Sequence, residues 1–377
     1  MSASVRLPFV DNLRSMTIVL VVTMHAAVTY SNFGSWYYME PAPTDTPTRI
    51  FFGMYQSFLQ AWFMGFLFLL AGYFVPGSLQ KKGARRFIAD RMFRLGVPAL
   101  IYMLVIQPFL VYVLLADYHK IPAGDTAGRW LGYVVSGRFL GGSGPMWFAV
   151  ALLIFTMVYV AVGHWWRMAD RPLPGNAQVV GLILKIAVCT FLMRTIQPLG
   201  TSVLNMQLGY FSQYVLLFAV GIAAWRGDWL ARIPYGFAMR WFVAALVGGT
   251  AMWLAVILGG GALSGNLQPF NGGWHWQSAG MALWESFFCV GTCLGLTVWF
   301  RERVNGTGRA ARFLSDNAFA VYMFHPLVLI AITLALHGWE APAVVRFAGA
   351  SVLAIIGTFG LSALVLRRIG VMRRVLG

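Results

Sequence analysis

Residues 10–31, VDNLRSMTIVLVVTMHAAVTYS, form an apolar stretch that is long enough to cross a lipid bilayer. A transmembrane helix needs about 20 predominantly apolar residues. This stretch also carries Arg14 and His25 within its apolar run. It is therefore longer and more polar than the short, uncharged core of a cleavable signal peptide. We expect a transmembrane helix here, followed by more of the same kind.

The composition of the whole chain agrees with that expectation. Of its 377 residues, 59% are hydrophobic and only 11% are charged, and the mean hydropathy is +0.70. Soluble domains have roughly a quarter charged residues, so a soluble globule and a disordered chain are both excluded. Aromatic residues, which favour lipid–water interfaces, reach 15%. The sequence therefore predicts an all-α polytopic membrane protein.

Ten stretches are apolar enough to span the bilayer. They cover residues 10–31, 50–75, 94–116, 145–163, 176–197, 206–225, 234–258, 277–300, 314–336 and 342–366. No internal repeat or long linker divides the chain, so we expect one integral-membrane domain over residues 1–377. The three cysteines, Cys189, Cys289 and Cys293, lie inside these stretches and are expected to be small core residues.

The net charge of +16 does not indicate nucleic-acid binding, because the basic residues cluster in alternate connections between spans. Cytoplasmic loops carry such an excess of Lys and Arg, so both termini are predicted to be cytoplasmic. The basic residues of these connections and of the tail are Lys81, Lys82, Arg85, Arg86, Arg91, Arg94, Arg167, Arg171, Arg226, Arg232, Arg240, Arg301, Arg303, Arg309, Arg312, Arg367, Arg368, Arg373 and Arg374. The remaining connections contain only Arg49, Lys120, Arg129 and Arg138.

Ionisable residues inside spans are functional-site candidates, because burying them in lipid costs several kcal/mol. Arg14 and His25 are eleven residues apart, so both project from one helix face with a rise of roughly 16 Å between them. Asp11 is placed to pair with Arg14. The alternative is an arginine that snorkels and a histidine that packs. The other candidates in this class are Lys185, Arg194, Glu285, Asp316 and His325.

Two of those candidates have open alternatives. His325 precedes Pro326, which frees a backbone carbonyl and often kinks a helix, so it is either a cavity residue or a structural histidine. Glu285 reaches a similar depth and needs a partner. That partner is either a histidine, or Lys185 or Arg194. The histidines outside the spans, which we expect at the surface, are His119, His164, His275 and His337.

Arg91 and Arg94 stand at i and i+3, a spacing that forms a fork for phosphate oxygens. The same pair also serves as a plain orientation signal. The glycine-rich residues 141–145 are either a turn or a re-entrant approach to a site.

Four motifs in order resemble the acyltransferase-3 family of integral-membrane acyltransferases, which includes O-antigen acetylases and glucan succinyltransferases. They are Phe9-Val10-Asp11-Asn12-Leu13-Arg14 with His25; Arg91-x-x-Arg94 with Leu95 and Pro98; Gly144-Pro145-Met146-Trp147-Phe148; and Ser315-Asp316-Asn317-Ala318 through Tyr322 to His325-Pro326. Together they extend over nearly the whole chain.

The resemblance implies transfer of an acyl group, acetyl or succinyl, from cytosolic acyl-CoA to a hydroxyl of an extracytoplasmic glycan. It implies location in a bacterial inner membrane, with no tightly bound cofactor and no metal. His25 would be the general base or a transient acyl carrier. The other roles that we expect are donor binding by Asp11, Arg14, Arg91 and Arg94, acceptor orientation or proton sharing by His325 and Glu285, and acceptor-side positions for Trp147 and Tyr322.

Two departures from the family pattern stand out. The segment Met146-Trp147-Phe148 lacks the following acid that many members carry, so the base or orienter that it supplies is expected to be either absent or replaced by Glu285. The extracytoplasmic hydrolase-like domain of some members is also expected to be absent. The alternative functions are a transporter or flippase for a polar or lipid-linked solute, and a membrane sensor or scaffold.

Overall fold

The computed structural model describes residues 7–122, 124–163, 172–370 and 372–373. Within these ranges the chain is helical, and the one strand-like pairing is an isolated bridge between Val203 and Met206. Ten helices are long and apolar enough to cross a membrane, which confirms the predicted count. They are α1 Pro8–Ser31, α2 Thr46–Lys82, α3 Ala84–Leu114, α4 Gly144–Val162, α5 Asn176–Ile196, α6 Leu208–Gly227, α7 Tyr235–Gly259, α8 Trp276–Arg303, α9 Arg309–Ala335 and α10 Ala343–Arg368.

The second span differs from the single helix expected over 50–75. It consists of two helices, Thr46–Gln60 and Phe63–Lys82, separated at Ala61. A broken helix at membrane depth needs partners for the backbone groups that it frees. Gln213 Nε2 supplies one by donating to the Ala61 carbonyl at 2.7 Å.

Asp45 caps the start of α2. Its carboxylate accepts a hydrogen bond from the Thr48 backbone N–H at 2.8 Å, which holds the pKa of this exposed carboxyl below its usual value. The helix therefore begins several residues earlier than hydropathy alone predicts, because a polar N-cap marks its start.

Three widened turns interrupt α3, at Met92–Gly96, Tyr102–Ile106 and Leu110–Leu114. Pro98 and Pro108 lie just beyond the first two of these turns. A proline inside a helix removes an N–H donor and collides with the carbonyl four residues back, and a π turn relieves this conflict. Arg91 and Arg94 flank the start of the first turn, so they do not lie on a regular α-helical face.

Helices α2 and α6 pack at the shortest separation that backbones allow. A Cβ atom added at Gly72 would overlap the Phe218 carbonyl, and one at Gly221 would overlap the Leu69 carbonyl. Glycine is required at both positions because each backbone occupies the space that a side chain would need. This contact fixes the second helix of α2, Phe63–Lys82, in the bundle.

Helix α1 lies in the interior, in contact with α8, α9 and α10. Leu13 and Ala26 are fully buried on it. The Arg14 side chain lies on another side of the helix, where protein atoms are close on all sides but solvent still reaches it. The central helix thus presents a packed side and a polar, accessible side.

One face of the bundle holds the start of α1, the connections around residues 226–234 and 304–308, and the end of α10; we call it the basic face. Asn12 Nδ2 donates to the Val304 carbonyl at 2.7 Å, and Arg301 Nη1 donates to the Ala231 carbonyl at 2.9 Å. Arg167, Arg171 and Arg374 lie outside the described residues. The cytoplasmic orientation of this face stays a prediction from loop charge.

Candidate functional site

The imidazoles of His25 on α1 and His325 on α9 meet inside the bundle. His25 Nδ1 lies 2.9 Å from His325 Nε2, and the two rings are nearly parallel, at 16°. His325 is fully buried. His25 is enclosed by protein but keeps a partly accessible surface. The structure thus brings together two candidates that the sequence identified separately.

Pro326 explains why the His325 ring has a fixed orientation. Proline has no N–H, so the carbonyl four residues earlier, that of Tyr322, receives no helical hydrogen bond. His325 Nδ1 lies 2.9 Å from this carbonyl oxygen. A carbonyl oxygen can only accept, so His325 Nδ1 carries the proton and donates it to Tyr322.

That assignment determines the protonation of the neutral pair. With a proton on Nδ1, His325 Nε2 is an acceptor, so His25 Nδ1 must donate to it. His25 Nε2 then carries the lone pair. The one side-chain hydrogen bond of His25 within the described residues is the Nδ1 contact to His325, and the Val21 backbone also lies near the ring. The arrangement presents an imidazole in one tautomer with a free basic atom.

Trp36, in the connection between α1 and α2, covers this pair. Its indole stacks on the His25 ring at 3.8 Å between centroids and 18° between planes, and it lies parallel to His325 at 6.1 Å. Its Nε1–H is buried, with no hydrogen-bond acceptor among the described residues. An aromatic face attracts a neighbouring cation, so the Trp36 ring is placed to stabilise a positive charge that develops on His25 during a reaction.

The glycine-rich segment 141–145 forms a tight turn at the head of α4. The backbone of Gly144 has φ of +47°, and a Cβ atom there would overlap the Tyr102 ring and the Tyr37 hydroxyl. The Pro145 carbonyl accepts a hydrogen bond from the Tyr322 hydroxyl. The turn is thereby joined to the helix that bears His325.

Tyr37 links the first connection to α3. Its hydroxyl donates to Gln107 Oε1 and lies 3.0 Å from the Tyr102 hydroxyl. Burial raises the pKa of the Tyr37 hydroxyl, so this group stays protonated at neutral pH. These bonds anchor the residue next to Trp36.

Glu285 lies with Arg194 and not with either histidine. Arg194 Nη2 is 2.6 Å from Glu285 Oε2, and both side chains are buried. Arg194 Nε also donates to the Gly209 carbonyl at 3.2 Å, and its guanidinium lies over the Tyr210 ring. Of the partners considered from the sequence, the structure selects Arg194; Lys185 is exposed on α5.

Trp147 packs near that ion pair. Its ring stacks on Tyr214 at 5.7 Å and tilts against Phe211 at 6.0 Å. Tyr214 also stacks on Tyr210, the ring that Arg194 covers. Trp147 therefore belongs to an aromatic wall around the buried ion pair, whereas Tyr322 belongs to the histidine site.

Three of the predicted donor-binding residues gather at the basic face. Asp11 and Arg91 are both within electrostatic range of Arg14. Arg91 Nε is buried, with no hydrogen-bond partner among the described residues. Two guanidinium groups held close together, one with an unused N–H, form a site that attracts phosphate oxygens.

Arg94 differs from Arg91. Its Nε donates to Asp90 Oδ1 at 3.1 Å, and its side chain is largely exposed. Asp90 also accepts from Lys82 Nζ at 2.7 Å. The two arginines of the expected fork stay within electrostatic range of each other. They differ in pairing, since Arg94 is held by Asp90 whereas Arg91 Nε has no hydrogen-bond partner among the described residues.

The remaining predictions about histidines and cysteines have mixed outcomes. His119, His275 and His337 are exposed as expected, and His164 lies outside the described residues. Cys289 and Cys293 are buried, but Cys189 is exposed on α5, so its predicted core position is wrong. No cluster of three or more metal-ligating side chains occurs in the described part of the chain.

Sequence reasoning missed Trp36, Tyr37 and Tyr102. The first two belong to an aromatic run, Trp36-Tyr37-Tyr38, in the connection that follows α1. This run begins eleven residues after His25. Aromatic residues at this position are also typical of a membrane–water interface, so the run alone did not indicate a functional site.

Comparison with known proteins identifies the family to which the chain belongs. The sequence matches the profile of a family described as "Acyltransferase domain" over residues 7–366. Proteins called "Glucans biosynthesis protein C" from Salmonella paratyphi B, Salmonella schwarzengrund and Salmonella enteritidis PT4 are each 24% identical to it over 181 residues. That match covers 47% of this chain and 44% of each relative, so the chain spans less than half the length of these curated relatives. No solved structure matches the chain.

Proposed function

The chain belongs to the acyltransferase-3 family, and from this premise we propose that it moves an acetyl or succinyl group from cytosolic acyl-CoA to a hydroxyl of an extracytoplasmic glycan. As a member of that family with ten apolar helices, it is a multi-pass membrane acyltransferase. In the proposal the membrane is the inner membrane of a bacterium, and the basic face is turned to the cytosol. The relatives' name, "Glucans biosynthesis protein C", supports a glycan acceptor.

The observation that carries the proposal is the 2.9 Å contact between His25 and His325, which leaves His25 Nε2 free. Acyl transfer to an alcohol needs a base whose pKa is near neutral, and histidine suits this role. In the proposed step His25 Nε2 removes the hydroxyl proton while the hydroxyl oxygen attacks the thioester carbon.

The same step balances without a further reactant. A C–O bond forms, the C–S bond breaks, and the proton on His25 Nε2 passes to the departing thiolate of coenzyme A. During the step His25 is an imidazolium, which the stacked indole of Trp36 stabilises. His325 keeps the orientation of His25 through the bond to its Nδ1, a positioning role.

The donor would bind from the basic face. Arg14 and Arg91 supply positive charge for the phosphates of coenzyme A, and Asp11 orients Arg14. The rise of roughly 16 Å from Arg14 to His25 gives the pantetheine arm a path from the phosphates to the base. Tyr322 fixes the turn at Pro145 next to the acceptor side of the site.

The test is an acyl-transfer assay with purified protein in lipid nanodiscs, using acetyl-CoA and succinyl-CoA and the envelope polysaccharide of cells that lack the gene. We expect His25→Ala to lower the rate by about 10³-fold, the middle of the range for loss of a general base. His275→Ala, at an exposed histidine, is the matched control. Mass spectrometry of the product identifies the acyl group and the acceptor.

Transfer by His25→Ala at the wild-type rate would remove this mechanism. Saccharide flux into vesicles without any acyl-CoA, together with no acyl transfer, would instead favour the transporter alternative.

A further inference from the structure

A cavity of about 640 Å³ opens on the face opposite the basic face. It lies between the connection that follows α1 and the connection between α9 and α10. The polar and aromatic residues that line it include Asn32, Tyr38, Glu40, Tyr118 and His337. None of these belongs to the histidine pair described above.

The side chain and backbone of Glu40, which lines the cavity, are both held in place by hydrogen bonds. Its side chain is only 2% exposed and accepts hydrogen bonds from the Tyr38 hydroxyl at 2.7 Å and from Arg346 Nη1 at 3.0 Å. Its backbone is held as well, since Glu40 N–H donates to the Thr29 carbonyl at 2.8 Å. Asn32 Nδ2 donates to the Glu40 carbonyl at 3.0 Å. The carboxylate therefore has little freedom to move.

His337 is oriented by this carboxylate. His337 Nδ1 lies 2.8 Å from Glu40 Oε1 and 2.9 Å from the Tyr38 hydroxyl, whose own proton goes to Glu40. Both neighbouring oxygens therefore accept, so Nδ1 carries the proton. The neutral ring then has its lone pair on Nε2. The side chain is 64% exposed, so the ring offers this acceptor to a ligand in the cavity.

An aromatic wall stands beside the imidazole. Tyr118 is 44% exposed and meets Tyr38 edge-on at 4.9 Å. Burial, followed by the bond to Glu40, raises the pKa of the Tyr38 hydroxyl, so it remains a donor to Glu40. The negative face of an exposed aromatic ring attracts weakly positive C–H groups, which line one face of a pyranose.

The cavity lies along the line that leads to His25. Asn32 is the residue that follows the last turn of α1, seven residues beyond His25, which corresponds to about 10 Å along the helix axis. Trp36, which covers His25, is two residues before Tyr38. A polymer chain in the cavity can therefore place one unit near Trp36 while a neighbouring unit occupies the cavity.

We propose that this cavity is a saccharide subsite, in which Tyr118 packs against a sugar ring and His337 Nε2 accepts a hydrogen bond from one of its hydroxyls. The unit bound there is a neighbour of the unit that is acylated. This inference rests on the proposed function for its substrate. Because the contact is remote from the reacting atoms and equal in ground and transition states, it lowers KM for the acceptor without changing kcat.

The experiment measures acyl transfer to the envelope polysaccharide of cells that lack the gene, and to the same material hydrolysed to monosaccharides. The variants are Tyr118→Ala and His337→Ala, and His119→Ala is the control at the exposed neighbour of Tyr118. We expect each variant to raise the acceptor KM about tenfold, equivalent to 1.4 kcal/mol, with kcat and the KM for acyl-CoA unchanged. Transfer to monosaccharides should not change, since they do not reach the subsite.

Three outcomes decide the matter. An acceptor KM at the wild-type value in both variants overturns the subsite and leaves the acyltransferase mechanism intact. A parallel fall in kcat, or an equal loss with monosaccharides, shows a structural role and also overturns it. If the wild-type protein releases no coenzyme A when polysaccharide is added, the proposed function fails and the subsite fails with it.

Discussion

Two pairs of ionisable residues are buried in this bundle, and they differ in what they leave unused. Arg194 and Glu285 neutralise each other at 2.6 Å; they leave one guanidinium nitrogen of Arg194 without a hydrogen-bond partner among the described residues, but it is fully buried. His25 and His325 also touch, at 2.9 Å, but one nitrogen of His25 has no partner in the described structure. The first pair is closed to a ligand and the second is open.

This difference refines the rule that an ionisable residue inside a membrane span marks a functional site. Depth and residue type identified both pairs equally well. What separates them is whether the partners leave an accessible, unsatisfied atom. An ion pair whose one spare N–H is fully buried supports the fold, whereas an accessible base with a free lone pair is able to react.

The largest effect that we predict tests the closed pair. Arg194→Met leaves Glu285 buried without a counter-charge, which should destabilise the protein by about 3–5 kcal/mol, whereas replacing both residues by apolar ones should be nearly neutral. Thermal unfolding in detergent, with Arg194→Met and the double variant Arg194→Met, Glu285→Met, measures this. The double variant should also retain acyl transfer. Its inactivity in a folded state would show that the pair is part of the chemistry.

The second prediction concerns the open pair. Pro326→Ala restores a backbone N–H, which competes with His325 Nδ1 for the Tyr322 carbonyl. His325 is then no longer held in one tautomer, so His25 Nε2 is no longer kept as the free acceptor. We expect kcat to fall about 100-fold, within the range for general-base catalysis. Pro76→Ala, at the in-helix proline of α2, is the control. An unchanged kcat would show that the carbonyl does not determine the tautomer.

A third prediction applies the same distinction to two neighbouring arginines. Arg91 has an unused N–H and Arg94 is paired with Asp90. Arg91→Gln should raise the KM for acyl-CoA about 30-fold, equivalent to about 2 kcal/mol for a charge-assisted hydrogen bond. Arg94→Gln should change it much less, because an exposed ion pair contributes little. Equal effects from both would restore the two-arginine fork that the sequence suggested.

The smallest effect that we predict is at Trp36. Trp36→Leu removes the aromatic face over His25 and should lower kcat about fivefold, since a cation–π contact contributes about 1 kcal/mol. Trp36→Phe keeps a ring and should retain most of the activity. Trp274→Leu, at a highly exposed tryptophan, serves as the control. A loss in Trp36→Phe as large as in Trp36→Leu would shift the role from the ring face to the indole N–H.

The fold was predictable because hydropathy is a local property. Ten apolar stretches gave ten helices, with ends within a few residues for most of them. The break at Ala61 was not predictable, because it depends on Gln213, which is far away in the sequence and bonds the freed carbonyl. The widened turns of α3 had a local signal in Pro98 and Pro108. Which of Arg91 and Arg94 pairs with Asp90 depends on the three-dimensional path of that turn, which the sequence does not show.

The site was predictable in part for the same reason. His25 and His325 stood out because each is ionisable inside an apolar run, but their contact joins residues 300 positions apart. The choice of Glu285 between a histidine and Arg194 is a question of three-dimensional distance. Trp36 lies in a connection, where an aromatic residue is unremarkable until a partner is known.

The connection between α1 and α2 has a practical consequence for anyone who labels this protein. Exposed loops of polytopic proteins are the usual places for epitope tags and fluorescent reporters. Here residues 36–40 of one loop contact four different helices, α1, α3, α9 and α10, so an insert in this segment would break all of these contacts. The loop at residues 260–267, which is mostly exposed and turns at Gly261 and Gly265, is the better position for a reporter.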